Sequence, residues 1–209
     1  MRTTVDALLP LSLLHAVRQT DAADGWYELD HVPELRNKRL GLSDTVQAQI
    51  RRYTEAVRRG QRVEGGEVEM LARLVARRPD AGQVFRAAGT HLADAAYRTI
   101  SPVTRRSLLT LPALVARPLA LRQARRLLGR YVNGSVARVG SSVLLRVPRP
   151  AAGATETASI GCLFYESLLL ELVTRLLGAS GAVEHVRCAS RGETSCEWRV
   201  DWRAMARAA

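Results

Sequence analysis

A strict two-residue alternation closes the chain: Cys196-Glu197-Trp198-Arg199-Val200-Asp201-Trp202. It puts Cys196, Trp198, Val200 and Trp202 on one face and Glu197, Arg199 and Asp201 on the other, the pattern of a half-buried β-strand. A second extended run, Ala182 to Cys188, precedes it, and the loop between them, Ala189 to Ser195, carries Gly192 at its centre. The two runs therefore read as a β-hairpin. Pairing symmetric about Gly192 sets Cys188 opposite Cys196, Val186 opposite Trp198 and Glu184 opposite Val200. Directly opposed side chains have Cβ atoms about 4.5–5.5 Å apart, so the two thiols meet on the buried face. They can share a metal, form a disulfide if oxidised, or pack as small hydrophobes. A zinc site needs further ligands. Cys162, at the start of the preceding predicted helix, is the candidate third. His185 is a poor fourth, because alternation points it to the opposite face from Cys188.

Upstream of the hairpin the periodicity is mostly helical. Leu8, Leu9, Leu11, Leu14 and Val17 line one side of a first helix, and Asp21 to Gly25 reads as a loop. Ser43 is placed to cap a helix running to about Arg59, with Gly60 just beyond its end. A helix over Glu67 to Arg78 stops at Pro79. Asp80 and Gln83 have the spacing of a capping box for the next helix, whose apolar positions are Val84, Ala88, Leu92 and Ala95. Ser101-Pro102 opens a Leu-rich segment, and a helix over Leu119 to Leu128 is expected to end at Gly129. Tyr131 to Val139 and Ser141 to Val147 read as two strands about a turn at Gly140, followed by a Pro/Ala/Gly-rich loop over Pro148 to Thr155. Cys162 to Leu177 returns to helix, ending at Gly178. Helices first and strands late predict an α+β fold, with N-terminal helices packed on a twisted antiparallel sheet that ends in the hairpin.

With 209 residues the chain is long enough for one sizeable domain. Its 47% hydrophobic content excludes a disordered polymer, and the 5% aromatic content makes Leu, Val and Ala the core builders. The net charge of +11 sits in one place. Ala95 to Thr155 contains 11 arginines and neither Asp nor Glu, while the remaining 20 basic and 20 acidic residues cancel. Such a one-signed block is either a solvated basic face or an attractor for nucleic acid, anionic lipid or an anionic ligand. Three cysteines do not suggest a secreted disulfide scaffold. The apolar N-terminal run is interrupted by Asp6, Pro10 and His15, unlike a signal peptide. The expected location is the cytoplasm.

The chain has no Gly-rich phosphate loop, no His-Glu-x-x-His helix and no Gly-x-Ser-x-Gly elbow. His15, His31, His91 and His185 stand singly, and no catalytic residue is assigned. Asp94, Tyr97, Tyr165 and Glu166 are candidates for lining a pocket.

The run Val186-Arg-Cys188-Ala-Ser-Arg-Gly192-Glu-Thr-Ser-Cys196-Glu-Trp-Arg-Val resembles the end of the 4-vinyl-reductase domain, in which a Cys, a Gly and a second Cys flank the last hairpin turn. An upstream Cys opens the preceding helix of that family, as Cys162-Leu-Phe-Tyr165-Glu166 does here. Ala87-Ala-Gly89 through Ala95-Tyr97, and the Leu/Pro-rich Leu108 to Leu121, are similar in order and spacing. The resemblance covers about Val84 to Trp202. Residues 81–204 are expected to form the ligand-binding domain and residues 1–80 a helical segment of the same unit. The resemblance implies a fold like that of TRAPP subunits and haem-dependent nitric-oxide sensors, often dimeric. It implies a stand-alone sensor or carrier of a small hydrophobic ligand, such as an aromatic compound or a tetrapyrrole, with output through a partner protein. It also implies zinc on Cys162, Cys188 and Cys196. Where many relatives have His shortly after the first Cys, this chain has Tyr165. Two alternatives stand beside this reading: a bacteriochlorophyll 4-vinyl reductase or an accessory of tetrapyrrole synthesis, for which no nicotinamide or flavin site is evident, and a nucleic-acid or membrane-surface binder using the Arg block.

Overall fold

The computed structural model describes residues 3–23, 43–153, 159–177 and 181–201. In chain order they form β1 (Thr4–Asp6), α1 (Leu8–Ala23), α2 (Asp44–Arg58), β2 (Arg62–Glu64), α3 (Gly65–Ala76), α4 (Ala81–Arg98) and α5 (Pro102–Thr110). There follow α6 (Ala113–Val132), β3 (Ser135–Val139), β4 (Ser142–Val147), α7 (Cys162–Leu177), β5 (Val183–Arg187) and β6 (Cys196–Asp201). The fold is α+β, and every strand pairing is antiparallel. The larger sheet has the order β3-β4-β6-β5. A small β1-β2 sheet, not foreseen from the sequence, ties the start of the chain to the turn after α2.

Local chemistry sets most of the boundaries. Ser43 Oγ accepts the Val46 amide at the start of α2, and Gly60 takes the left-handed conformation (φ 64°) just past its end. Ser101 caps α5 in the same way, with Pro102 in the first turn, where its missing N–H costs nothing. Elsewhere the structure departs from the sequence reading. Asp21 lies inside α1, because its buried carboxylate is held by Arg78. Asp80 forms no capping box: Arg78 Nε and Nη2 each donate to its carboxylate at 2.8 Å, which takes the group away from the helix end. Helix α6 runs through Pro118 and Gly129 and stops only at Asn133, in the left-handed region (φ 54°), so Tyr131 and Val132 are helical rather than extended. The expectations for Gly25, His31, Thr155, Gly178 and Trp202 fall outside the described residues.

The spine of the molecule is the contact of α4 with α7. On α4 the buried positions include Ala88, Gly89, Ala93 and Ala96, small residues that let another backbone come close. On α7 they are Phe164, Tyr165, Leu168, Leu169, Leu172, Val173 and Leu176, together with Cys162. α1 packs along α4, α6 touches α7 and β3, and α7 lies against β5 and β6. The outer surface of the sheet is clamped at Glu197. Its buried carboxylate accepts from Arg146 on β4 at 2.6 Å and faces Arg187 on β5 at 3.7 Å.

Gly89 is where the two helices meet most tightly. A Cβ there would stand 2.2 Å from the Phe164 carbonyl oxygen and 2.9 Å from the Leu168 amide nitrogen, both backbone atoms that cannot rotate away. Gly89→Ala is predicted to lower unfolding free energy by about 2–3 kcal/mol, the upper part of the overpacking range. Denaturant titration measures this, and a variant as stable as the parent contradicts the packing described.

Candidate metal centre

Cys162 is the first residue of α7, and Cys188 and Cys196 flank the turn between β5 and β6. The helix therefore brings one thiol down onto two that the hairpin holds. All three are buried. The Sγ atoms of Cys162 and Cys188 are 3.9 Å apart. A short 3-10 turn over Ala189–Arg191 follows Cys188 and ends at Gly192 with φ 90°. That turn aims the Ala189 amide at Cys196 Sγ, to which it donates at 3.2 Å. Ser190 Oγ lies 2.9 Å from Cys188 Sγ.

A fourth donor joins them, and the expected hairpin register is corrected by it. Arg187 pairs with Glu197, in the register that symmetry about Gly192 requires. Beyond it the ladder shifts by one residue between His185 and Arg187, so Val186 bulges out. Trp198 then faces His185 instead of Val186, and Val200 faces Val183 instead of Glu184. A one-residue shift carries every following side chain to the other face of the sheet. Val186 and Glu184 are accordingly exposed, while His185 is turned inward onto the cysteine face. The reading of His185 as a poor fourth ligand fails for this reason. Donor atoms of Cys162, His185, Cys188 and Cys196 all lie within 4.8 Å of one another, a group that could hold a metal ion. His185-Val-Arg-Cys188 has the x-x spacing of paired metal ligands, a sequence signal that would have favoured placing His185 with the cysteines.

An aromatic column fixes the imidazole. The His185 ring stacks on Trp198 at 5.0 Å between centroids and 9° between planes, and Trp198 stacks on Tyr165 at 5.0 Å. The Tyr165 hydroxyl accepts the Ala152 amide at 3.2 Å, which ties the segment before α7 to the same column. His185 Nε2 is buried and makes no hydrogen bond of ordinary geometry among the described residues, although the imidazole lies near enough to Cys196 to help lower its pKa.

The electrostatics of the thiols are unequal. A hydrogen bond from Cys162 lowers the Cys196 pKa well below the usual thiol value, against the opposing effect of burial and with help from the Ala189 amide. The same bond, with burial, pushes Cys162 up. The cluster thus favours negative charge on the Cys196 sulfur.

Three of the four residues proposed to line a pocket do other work. Tyr165 belongs to the buried column. Asp94 pairs with Arg98 at 2.6 Å and Arg175 at 3.1 Å. The guanidinium groups of Arg105 and Arg175 each lie over the Tyr97 ring, 5.6 and 5.8 Å from its centre. The cavity that does adjoin the cluster, about 300 Å³, is lined by Pro148, Arg149, Pro150, Gly153, Ala189, Ser190 and Cys196, with Glu69 from α3. Its wall is mainly apolar, with Glu69 and Arg149 as the charged members.

No protein-family model matches this chain, and no curated protein matches it either.

A thiolate is the reactive form of cysteine, but reaction also requires access. The folded protein is therefore predicted to react slowly with Ellman's reagent despite the acidified Cys196, and to release all three thiols in denaturant. Rapid labelling of Cys196 in the native state, read by peptide mass spectrometry, contradicts the burial described.

Proposed function

We propose that this chain is a small-molecule-binding protein, a sensor or carrier, whose C-terminal hairpin is locked onto α7 by a structural zinc ion held by Cys162, His185, Cys188 and Cys196. The observation that carries the reading is the convergence of three thiols and one imidazole from two separate elements within 4.8 Å. Three cysteines and one histidine make a closed structural set, with no position left over for a substrate. With Zn–S bonds of about 2.3 Å, tetrahedral sulfurs stand about 3.8 Å apart, and Cys162 and Cys188 are already at 3.9 Å. The buried His185 Nε2 also fits. A buried polar atom is ordinarily satisfied, and a metal ion would satisfy this one, which has no hydrogen bond of ordinary geometry. Bound there, zinc supplies a cross-link between helix and hairpin and balances thiolate charge. The protein supplies the rest: the bulge turns His185 inward, Trp198 holds its ring plane, and the Ala189 amide donates to Cys196.

The cavity beside the hairpin turn is the candidate ligand chamber. Its volume of about 300 Å³ lies at the small end of ligand pockets. It suits a single-ring aromatic compound better than a tetrapyrrole. Arg149 at the wall can pair with a carboxylate or phenolate on such a ligand. The resemblance to the 4-vinyl-reductase domain supports the same reading, with a second copy of the chain or a partner protein receiving the signal. Reduced thiols in a metal site suit the cytoplasm.

Native mass spectrometry with metal analysis of the freshly purified protein tests this reading. One zinc per chain is expected, together with a small organic mass released on denaturation. Chelation should lower Tm, because the ion binds only the folded chain. His185→Ala should weaken zinc binding by about tenfold or more, since even supporting residues of metal sites contribute that much. A metal-free protein whose Tm ignores both chelator and added zinc overturns the metal assignment.

A further inference from the structure

Eight large hydrophobic side chains are exposed among the described residues, and four of them lie along α5 and the start of α6. They are Val103 (76% exposed), Leu109 (52%), Leu114 (89%) and Val115 (52%). Pro102, Pro112 and Pro118 are exposed along the same stretch. A buried core explains none of these positions, and leaving Leu114 almost wholly in water is unfavourable.

The charges around the elbow have one sign. Arg106 is exposed and lies between Val103 and Leu109 at three-residue spacing, which puts the three on one face of α5. On α6, Pro118, Arg122 and Arg126 follow Val115 at helical spacing, and both arginines are exposed. Arg106, Arg122 and Arg126 make no ion pair among the described residues. From Ala95 to Thr155 there is no acidic residue in the sequence to neutralise them.

An occupant of this surface must accept apolar side chains and offer many negative charges at once. A second copy docked face to face would set this arginine field against itself. A nucleic-acid duplex offers charge, but admits Leu114 or Val115 only by unstacking base steps, at about a few kcal/mol per step. A bilayer bearing anionic headgroups offers both, phosphates at the surface and hydrocarbon just below. No described helix is long and apolar enough to cross a membrane, and the contact argued for is with the membrane surface.

We propose that the α5–α6 elbow docks this protein on anionic lipid surfaces, with Leu114 and Val115 entering the acyl boundary and Arg106, Arg122 and Arg126 pairing with headgroup phosphates. The inference is independent of the metal centre, which lies on α7 and the β5–β6 hairpin.

Co-sedimentation of the full chain with vesicles tests it, using phosphatidylcholine alone and phosphatidylcholine mixed with phosphatidylglycerol. Binding to the mixed vesicles is expected, weaker binding to the neutral ones, and loss of binding as salt rises. The double variant L114E/V115E should lose affinity by about tenfold or more with an unchanged Tm, because both side chains are exposed. A second variant, Arg106→Gln with Arg122→Gln and Arg126→Gln, should lose the preference for anionic vesicles. The proposal is overturned by absence of binding to mixed vesicles, by equal binding to both vesicle types, or by undiminished binding of L114E/V115E. Tight binding to duplex DNA without binding to vesicles also overturns it.

Discussion

The 3.9 Å approach of Cys162 Sγ to Cys188 Sγ joins two parts of the molecule that share no backbone pairing. Cys162 belongs to α7, whose position is set by its contact with α4. Cys188 and Cys196 belong to the hairpin, which is set by its place in the sheet. Three thiols and an imidazole are thereby withdrawn from water at one point. Leaving polar groups in such a place is unfavourable unless something satisfies them. Part of the demand is met by the Ala189 amide and the Ser190 hydroxyl. The imidazole Nε2 makes no hydrogen bond of ordinary geometry among the described residues, and the proposed zinc ion would satisfy it together with the thiolate charge. The burial pattern and the donor geometry both support that proposal.

The same junction is braced by an aromatic stack. Tyr165, Trp198 and His185 form one continuous stack from the core side of α7 across β6 to β5. Tyr165 reaches further, to the Ala152 amide, and so fixes the segment that walls the adjoining cavity. A change in that cavity has a short physical route to the thiol–imidazole cluster, through Cys196 and Ala189 on one side and Tyr165 on the other. In the proposed sensor role, a ligand pressing on the turn would bear on the proposed zinc cross-link between helix and hairpin.

Much of this was legible in the residues, and the parts that were not have identifiable causes. Alternation over Cys196 to Asp201 gave the last strand and its buried face. Ser43, Gly60 and Ser101 marked helix ends by their own chemistry. The α+β class followed from the order of periodicities. Three of the hidden features have clear causes. The β-bulge at Val186 leaves no signature in composition, yet it decides whether His185 faces the cysteines, so the fourth donor was assigned to the wrong side. Pro118 and Gly129 looked like breaks in α6, but tertiary packing along α7 and β3 carries the helix through both to Asn133. Asp80 had the spacing of a cap, and Arg78 took its carboxylate first. The helix was decided by packing against distant elements, and the cap by a competing partner only two residues away.

The account rests on a metal held by three sulfurs and one nitrogen, and X-ray absorption at the zinc edge reads that ligand set directly. It predicts a first shell of three sulfurs at about 2.3 Å and one nitrogen at about 2.0–2.1 Å. A shell made only of light atoms at about 2.0–2.2 Å would mean that any zinc sits elsewhere on the surface, and that the buried cluster is not its site.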